Sequence, residues 1–344
     1  MAEKRGTVLV VGAGGFAGGF ICEECLRRGY EVWAGVREST SREYLQDPRL
    51  RFAVLNFEEP ASLEGSLKEA APESGRWDYV IYNLGATKCV SFADFNVINY
   101  TYLQHFTEAL KSGGMVPDKM VYISSLSAMG KGDEKTYTPF SETMIPMPDT
   151  RYGASKLKAE MWLATCGLPV VILRPTGIYG PRDKDYFLMF KSIRSGFDFS
   201  AGFRRQMLSF LYVEDLARAC CDALERGKAG QTYIIGHPAT YSQKEFRALA
   251  AQAIGKRVVV PLTVPLWMVK IVTGIAAKIG AAKGKPSTLN PDKYKIMAQR
   301  NWSIDVSKAE RDFGFKPEVD LPEGVRRSVD WYMENGWLSP LKKR

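Results

Sequence analysis

Thr7-Val8-Leu9-Val10-Val11-Gly12-Ala13-Gly14-Gly15-Phe16-Ala17-Gly18-Gly19 is the stretch whose reading decides the fold. Its first five residues are a short apolar, β-branched run, the pattern of a strand covered on both faces. Glycines at 12, 15 and 18 follow at once, and an amphipathic segment over 20–28 follows them. Strand, glycine loop and helix in that order let backbone N–H groups and a helix N-terminus hold a pyrophosphate. Gly12, Gly15, Phe16 and Gly18 are therefore candidate dinucleotide contacts, although a plain tight turn would use the same glycines.

Outward from this unit, strand and helix keep alternating. Residues 31–36, 51–55, 78–86 and 120–125 read as further buried strands, with helical segments around 61–70 and through Asn99, Tyr102 and His105. The alternation predicts an α/β fold with a Rossmann-like, doubly wound parallel sheet and right-handed crossovers. Beyond Pro175 it weakens, which predicts a smaller, discontinuous C-terminal substrate domain. The dinucleotide-binding domain is expected over 1–178, with 206–232 returning to it, and the substrate domain over 179–205 and 233–340.

Such sheets bind ligands at the carboxyl ends of their strands. Arg37 ends the second strand, where a guanidinium suits a ribose 2′-phosphate, with Ser39 and Arg42 nearby. This favours NADP(H), with NAD(H) possible, while a solvated arginine would leave the same trace. Asn56 and Phe57 either flank an adenine or turn the chain. Leu84, Gly85 and Ala86 are small enough in aggregate to leave room for a cofactor. Asn99, Tyr102 and His105 are open to either a functional or a packing role.

Pro146 and Pro148 end an extended run before Tyr152-Gly153-Ala154-Ser155-Lys156, so Tyr152 is expected in the first turn of a helix. The i, i+4 spacing brings its phenol and the Lys156 ammonium to one side. Ammonium and helix N-terminus both favour the phenolate, predicting a lowered pKa and a general acid/base.

Composition narrows the partners. The 344 residues are 45% hydrophobic and 25% charged, which is ordinary for a globular chain. Six cysteines show no metal-ligand spacing and no signal peptide is read ahead of them, so a reduced, cytoplasmic protein without a metal is expected; Cys22-x-x-Cys25 reads as apolar packing. The net charge of +9 suits anionic partners. No nucleic-acid motif occurs, which leaves cofactor phosphates or an acidic membrane surface. Residues 246–291 hold no Asp or Glu, and Met268, Ile271, Val272, Ile275 and Ile279 fall on one helical face with Lys270 and Thr273 opposite. Three readings stay open for that helix: peripheral membrane contact through 262–285, the wall of an apolar substrate pocket, or plain core. It is too interrupted for a transmembrane span.

Several motifs occur in a fixed order: the glycine loop, Ser124-Ser125 in Val-Tyr-Ile-Ser-Ser-Leu-Ser-Ala-Met-Gly, Tyr152-x-x-x-Lys156, and Leu173-Arg174-Pro175-Thr176-Gly177-Ile178-Tyr179-Gly180-Pro181. Phe210-Leu211-Tyr212-Val213-Glu214-Asp215-Leu216-Ala217, Tyr233-Ile234-Ile235-Gly236 and a closing segment over 305–331 continue the series. With these the sequence resembles the extended short-chain dehydrogenase/reductase family, which includes nucleotide-sugar epimerases and 3β-hydroxysteroid dehydrogenases. The resemblance implies Tyr152 as general acid/base, Lys156 as the group that lowers its pKa and holds the nicotinamide ribose, and Ser125 as hydrogen-bond partner of the reacting oxygen. It implies that Pro175, Thr176, Gly177 and Ile178 line the nicotinamide, and that a homodimer forms through the helices carrying Tyr102 and Tyr152. The sequence departs from the family pattern at Asn56-Phe57, where an acidic residue and leucine are usual, and at Tyr212, where histidine is common.

Pro-Leu-Trp-Met at 265–268, Lys285-Pro286 with Leu289, Trp302-Ser303-Ile304-Asp305 and Lys308-Ala309 resemble the 3β-hydroxysteroid dehydrogenase and dihydroflavonol reductase branch. That likeness implies an NADP-dependent oxidoreductase interconverting an alcohol and a ketone on a lipophilic steroid, isoprenoid or polyphenol. The alternative is a nucleotide-sugar epimerase or dehydratase, with Arg182, Arg204 and Arg205 holding a diphosphate. Against a dehydratase, Leu126 stands where the motif would place an acid beside Ser125.

Overall fold

The computed structural model of the chain describes residues 5–285 and 287–341; Pro286 of the motif above lies outside them. Its strands are β1 (Thr7–Val11), β2 (Glu31–Val36), β3 (Arg51–Val54), β4 (Tyr79–Tyr82), β5 (Lys119–Ile123), β6 (Val170–Pro175), β7 (Gly177–Tyr179), β8 (Phe197–Ala201), β9 (Phe210–Tyr212), β10 (Thr232–Ile235) and β11 (Val260–Val264). Seven of them form one sheet in the order β10-β6-β5-β4-β1-β2-β3. Every pairing in it is parallel, with Val8 opposite Val32 on one side and Tyr79 on the other. The order reverses between β1 and β4, which opens a crevice at the carboxyl edge.

The helices are α1 (Phe16–Arg27), α2 (Pro60–Ala70), α3 (Phe92–Asn96), α4 (Tyr102–Ser112), α5 (Arg151–Leu163), α6 (Asp185–Ser195), α7 (Val213–Arg226), α8 (Gln243–Ile254), α9 (Leu266–Ala282), α10 (Pro291–Ala298), α11 (Ser307–Phe313) and α12 (Leu321–Glu334). Because successive strand residues point to opposite faces, Val8 and Val10 join Ile21 and Leu216 from α1 and α7, while Leu9 and Val11 join Leu63, Phe106 and Leu163 from α2, α4 and α5. Both faces are covered, which is why the strands read as continuous apolar runs. Cys22 and Cys25 lie inside the α1–α7 contact, all six cysteines are free, and Cys25 Sγ is 3.5 Å from Cys221 Sγ. Packing accounts for that motif.

A third core gathers Tyr179, Phe190, Phe210, Phe246 and Tyr332 from β7, α6, β9, α8 and α12. β7 and β9 pair with each other, as do β8 and β11. The segment that returns to the main sheet runs through β10 to Ile235, three residues beyond the expected 232, since Ile235 pairs with Pro175.

Helix α9 is where the sequence misleads about core. Its buried residues are Val269 and Thr273, with the Thr273 hydroxyl donating to the Val269 carbonyl at 2.8 Å. Met268, Ile271, Val272, Ile275 and Ile279 are all exposed, so the plain-core reading of that face is wrong. The helix packs on α10, buries Val269 and Thr273, and turns the stripe of larger apolar residues outward.

Candidate functional site

The glycine loop is shaped by steric need. Gly12 has φ +82°, and a Cβ there would lie 2.8 Å from the Leu84 nitrogen. At Gly18 a Cβ would lie 2.3 Å from the Gly12 carbonyl oxygen, so this glycine lets α1 approach the strand. Gly15 is the N-cap of α1 and no side chain caps that terminus. Its free N–H groups and the helix dipole form an anion cradle at the end of β1, with Phe16 as first helical residue. A dinucleotide pyrophosphate fits this cradle.

At the end of β2 the Arg37 side chain is exposed and its backbone N–H donates to Thr40 Oγ1 at 3.0 Å. Among the described residues it has no ion-pair partner. Arg42 is less free, since its guanidinium carbon lies 4.2 Å from the Phe52 ring centroid. Asn56 is exposed and accepts the Glu58 N–H at 3.1 Å. Phe57 is buried against Tyr102 and Phe106, with centroids 5.6 and 6.5 Å away. Its ring therefore belongs to the core and is not available to stack on an adenine; only its backbone remains for that role.

Beyond β4, Leu84, Gly85 and Ala86 are held by Asn99. Its side chain accepts the Ala86 N–H at 2.7 Å and donates to the Ala86 carbonyl at 3.0 Å and to Ser155 Oγ at 2.9 Å. Asn99 is fully buried in a single π-helical turn, Val97–Thr101, the widened geometry that often marks a functional position. A Cβ on Gly85 would stand 3.0 Å from Lys156 Nζ, so the loop, Asn99 and Lys156 meet in one place. Tyr102 packs on Phe57, and His105 Nδ1 lies 3.4 Å from the Phe57 carbonyl oxygen; these two serve packing.

Helix α5 delivers the reactive groups. Thr150 caps it through Gly153 N–H at 2.9 Å, placing Tyr152 in the first turn as the sequence predicts. Tyr152, Lys156 and Glu160 repeat at four-residue spacing on its inner side. Ser125 lies just beyond β5, caps the 3₁₀ turn Leu126–Met129 by accepting the Ser127 N–H at 3.1 Å, and its side chain lies within hydrogen-bonding reach of the Tyr152 phenol. Lys156 is buried, donates to the Ile123 carbonyl at 2.8 Å and lies 4.8 Å from the Tyr122 ring centroid.

The phenol does not behave as expected. Burial pushes the Tyr152 pKa up, and the Ser125 hydrogen bond only partly opposes it. Burial pulls Lys156 down to about 8, with the Glu160 charge acting the other way. The expected lowering of Tyr152 by Lys156 is absent because the ammonium is turned to the Ile123 carbonyl and desolvation dominates.

Glycine also sets how closely the parts meet. A Cβ on Gly153 would stand 2.2 Å from the Ser127 carbonyl oxygen. Gly153→Ala should push α5 off the Ser125 turn, costing about 1–3 kcal/mol in denaturant unfolding and most of the turnover. A variant of native stability and activity would refute this placement.

At the end of β6, Pro175 is buried in the sheet and Thr176 donates to the Ser209 carbonyl at 2.8 Å. Gly177 backs onto the Tyr186 hydroxyl, which a Cβ would meet at 2.3 Å, and Ile178 is half-buried against the core. Two further residues matter. Asp292, the second residue of α10, accepts the Tyr152 backbone N–H at 3.0 Å. No local pattern could pair positions 140 apart. Glu160 forms a buried pair with Arg174, Nη2 to Oε2 at 2.5 Å and Nε to Oε1 at 3.0 Å, and accepts the Ser124 hydroxyl. Its four-residue spacing from Lys156 was the available signal.

With this geometry in place, residues 8–236 match the model of the NAD dependent epimerase/dehydratase family. The chain belongs to that family. Within the epimerase/dehydratase family it is 29% identical over 215 residues to a dTDP-glucose 4,6-dehydratase of Shigella flexneri, covering 59% of this chain and 53% of the relative, so it spans about half of that protein's length. It is 26% identical to a putative dihydroflavonol 4-reductase of Synechocystis, over 96% of this chain and 95% of the relative. The dTDP-glucose 4,6-dehydratase of Bacillus anthracis, solved in complex with NAD, superposes with a TM-score of 0.75 at 20% identity, covering 98% and 99% of the two chains. That likeness establishes the family's α/β fold for this chain.

Proposed function

We propose that the protein is an NADP(H)-dependent oxidoreductase interconverting an alcohol and a ketone on a lipophilic small molecule. The observation that carries the chemistry is the convergence of Ser125, Tyr152 and Lys156 at one end of α5, beside the glycine cradle. Bound nicotinamide would supply the hydride donor or acceptor. Ser125 and Tyr152 hydroxyls hold the reacting oxygen, and Tyr152 gives it a proton in reduction or takes one in oxidation. Lys156, cationic below about pH 8, sits beside Gly85 where a nicotinamide ribose would lie.

Arg37, exposed and without an ion-pair partner among the described residues, supports NADP(H). Arg37→Ala should weaken NADPH binding by about 1.5–3 kcal/mol, the range for a hydrogen bond to a charged group, and leave NADH binding within a factor of about two. Equal loss for both nucleotides in a titration would remove the 2′-phosphate role.

A second reading, a nucleotide-sugar epimerase or dehydratase, is favoured by the names of the relatives. Of its three diphosphate arginines, Arg182 is committed elsewhere and Arg204 is paired at the surface. Arg182 donates to Glu23 at 2.9 Å and lies over Phe20 and Tyr44, while Arg204 lies 3.6 Å from Glu134. Leu126 is buried beside Ser125, leaving no acid there for dehydration. Following nicotinamide absorbance with steroid, terpenoid and flavonoid ketones and with nucleotide sugars separates the two. NADPH oxidation by a ketone supports the first; nucleotide-sugar conversion without net cofactor change establishes the second.

A further inference from the structure

We infer that helix α9 is a membrane-docking surface that seats the protein, without crossing, on an anionic phospholipid bilayer. Trp267, Ile271, Ile275 and Ile279 recur every four residues along it and are 64%, 53%, 54% and 51% exposed. Met268 and Val272 widen the same stripe. A soluble helix normally turns such a stripe inward; here Val269 and Thr273 face inward instead. No helix among the described residues is long and apolar enough to cross a membrane, and α9, at 17 residues, suits a position in the plane of the interface.

The ribbon that feeds α9 has the same character. In the β8–β11 pair, Phe197 stands opposite Val260 and Phe199 opposite Leu262, all four exposed. Asp198, between the two phenylalanines, is buried and bonded to Gln243 and Arg247, so the ribbon's other side is its inner one. β11 runs through Pro265 directly into α9.

Charge chooses the occupant. Arg257, Lys270, Lys278, Lys283 and Lys285 are exposed, and among the described residues none forms an ion pair. Residues 246–291 contain no acid to neutralise them. A second copy meeting this face across a two-fold axis would bring like charges together without counter-charges, whereas anionic headgroups supply them. Lysine stems can lie along the apolar stripe with their ammonium groups at headgroup level.

The surface is coupled to the site described above. α9 packs on α10, whose Asp292 holds the Tyr152 N–H and whose Lys295 donates to the Asp149 carbonyl. α10 thus links the docking helix to the first turn of α5. The inference does not depend on the reaction proposed above, because its readout is binding to lipid.

The test is co-sedimentation of the full chain with vesicles of phosphatidylcholine alone and of phosphatidylcholine with about 30–40% phosphatidylglycerol, an anionic fraction that gives a negative surface potential. Binding should appear with the anionic vesicles and weaken as salt rises. Lys278→Gln should weaken it about 5-fold, the equivalent of about 1 kcal/mol per cation near the surface. Ile271→Glu with Ile275→Glu should abolish it while nucleotide binding and the circular dichroism spectrum persist. Absence of wild-type binding to anionic vesicles would overturn the inference. So would undiminished binding by the double glutamate variant, or light scattering showing a wild-type dimer that this variant converts to monomer.

Discussion

Tyr152→Phe is expected to lower turnover by about 10²- to 10⁴-fold, the usual contribution of a positioned proton donor, while nicotinamide nucleotide binding and folded structure are kept. The substitution removes only a hydroxyl whose described partner is the Ser125 hydroxyl, so the ring still packs beside Phe95, 6.3 Å away between centroids. Stability should move by no more than about 1 kcal/mol. Because burial raises the Tyr152 pKa, the free enzyme holds the phenol protonated at neutral pH, ready to donate in the reducing direction. Single-turnover nicotinamide oxidation is the measurement. Undiminished turnover of an identified substrate would remove Tyr152 from the chemistry.

The largest effect on stability is expected at Arg174→Met. Arg174 and Glu160 are a buried bidentate pair with side chains only 7% and 5% exposed, and Arg174 Nη1 also lies 2.8 Å from Met129 Sδ. Removing the guanidinium leaves a carboxylate buried with the Ser124 hydroxyl as its remaining neutral donor, a loss of about 3–5 kcal/mol. Replacing both partners, Glu160→Leu with Arg174→Met, should recover most of that loss, since neither charge then remains unpaired. Denaturant unfolding decides it: a single variant within about 1 kcal/mol of the parent contradicts the assignment. The double variant should also show an altered rate profile. The Glu160 charge favours protonated Lys156, which loses its proton as pH rises through about 8. Without Glu160 that loss moves to lower pH, and the alkaline limb of activity should move with it.

Much of this architecture could be read from short stretches because the causes are local. A β-branched run before three spaced glycines gives β1, the cradle and α1, and i, i+4 spacing gives the shared side of Tyr152 and Lys156. What could not be read depends on which surface meets which. The apolar stripe of α9 has the period of a core helix, and only docking through Val269 and Thr273 shows that it faces outward. Phe57 sits at a strand end suited to a cofactor, yet packing with Tyr102 and Phe106 claims its ring. The phenol's raised pKa is not legible in the sequence, because spacing reveals a nearby ammonium but neither its direction nor the desolvation around the pair.

The Asp292 contact has a consequence for how the protein comes into being. During synthesis the chain can complete β1 to β6 and fold α5 well before residue 292 leaves the ribosome. Until then the Tyr152 N–H lacks its carboxylate, and the first turn of α5 keeps the Thr150 cap and the bond from the Ser155 hydroxyl to the Tyr152 carbonyl. The last contact to the Tyr152 backbone is therefore made late, when α10 docks. The catalytic turn of the first domain is thus completed by a segment that follows it by 140 residues in the chain.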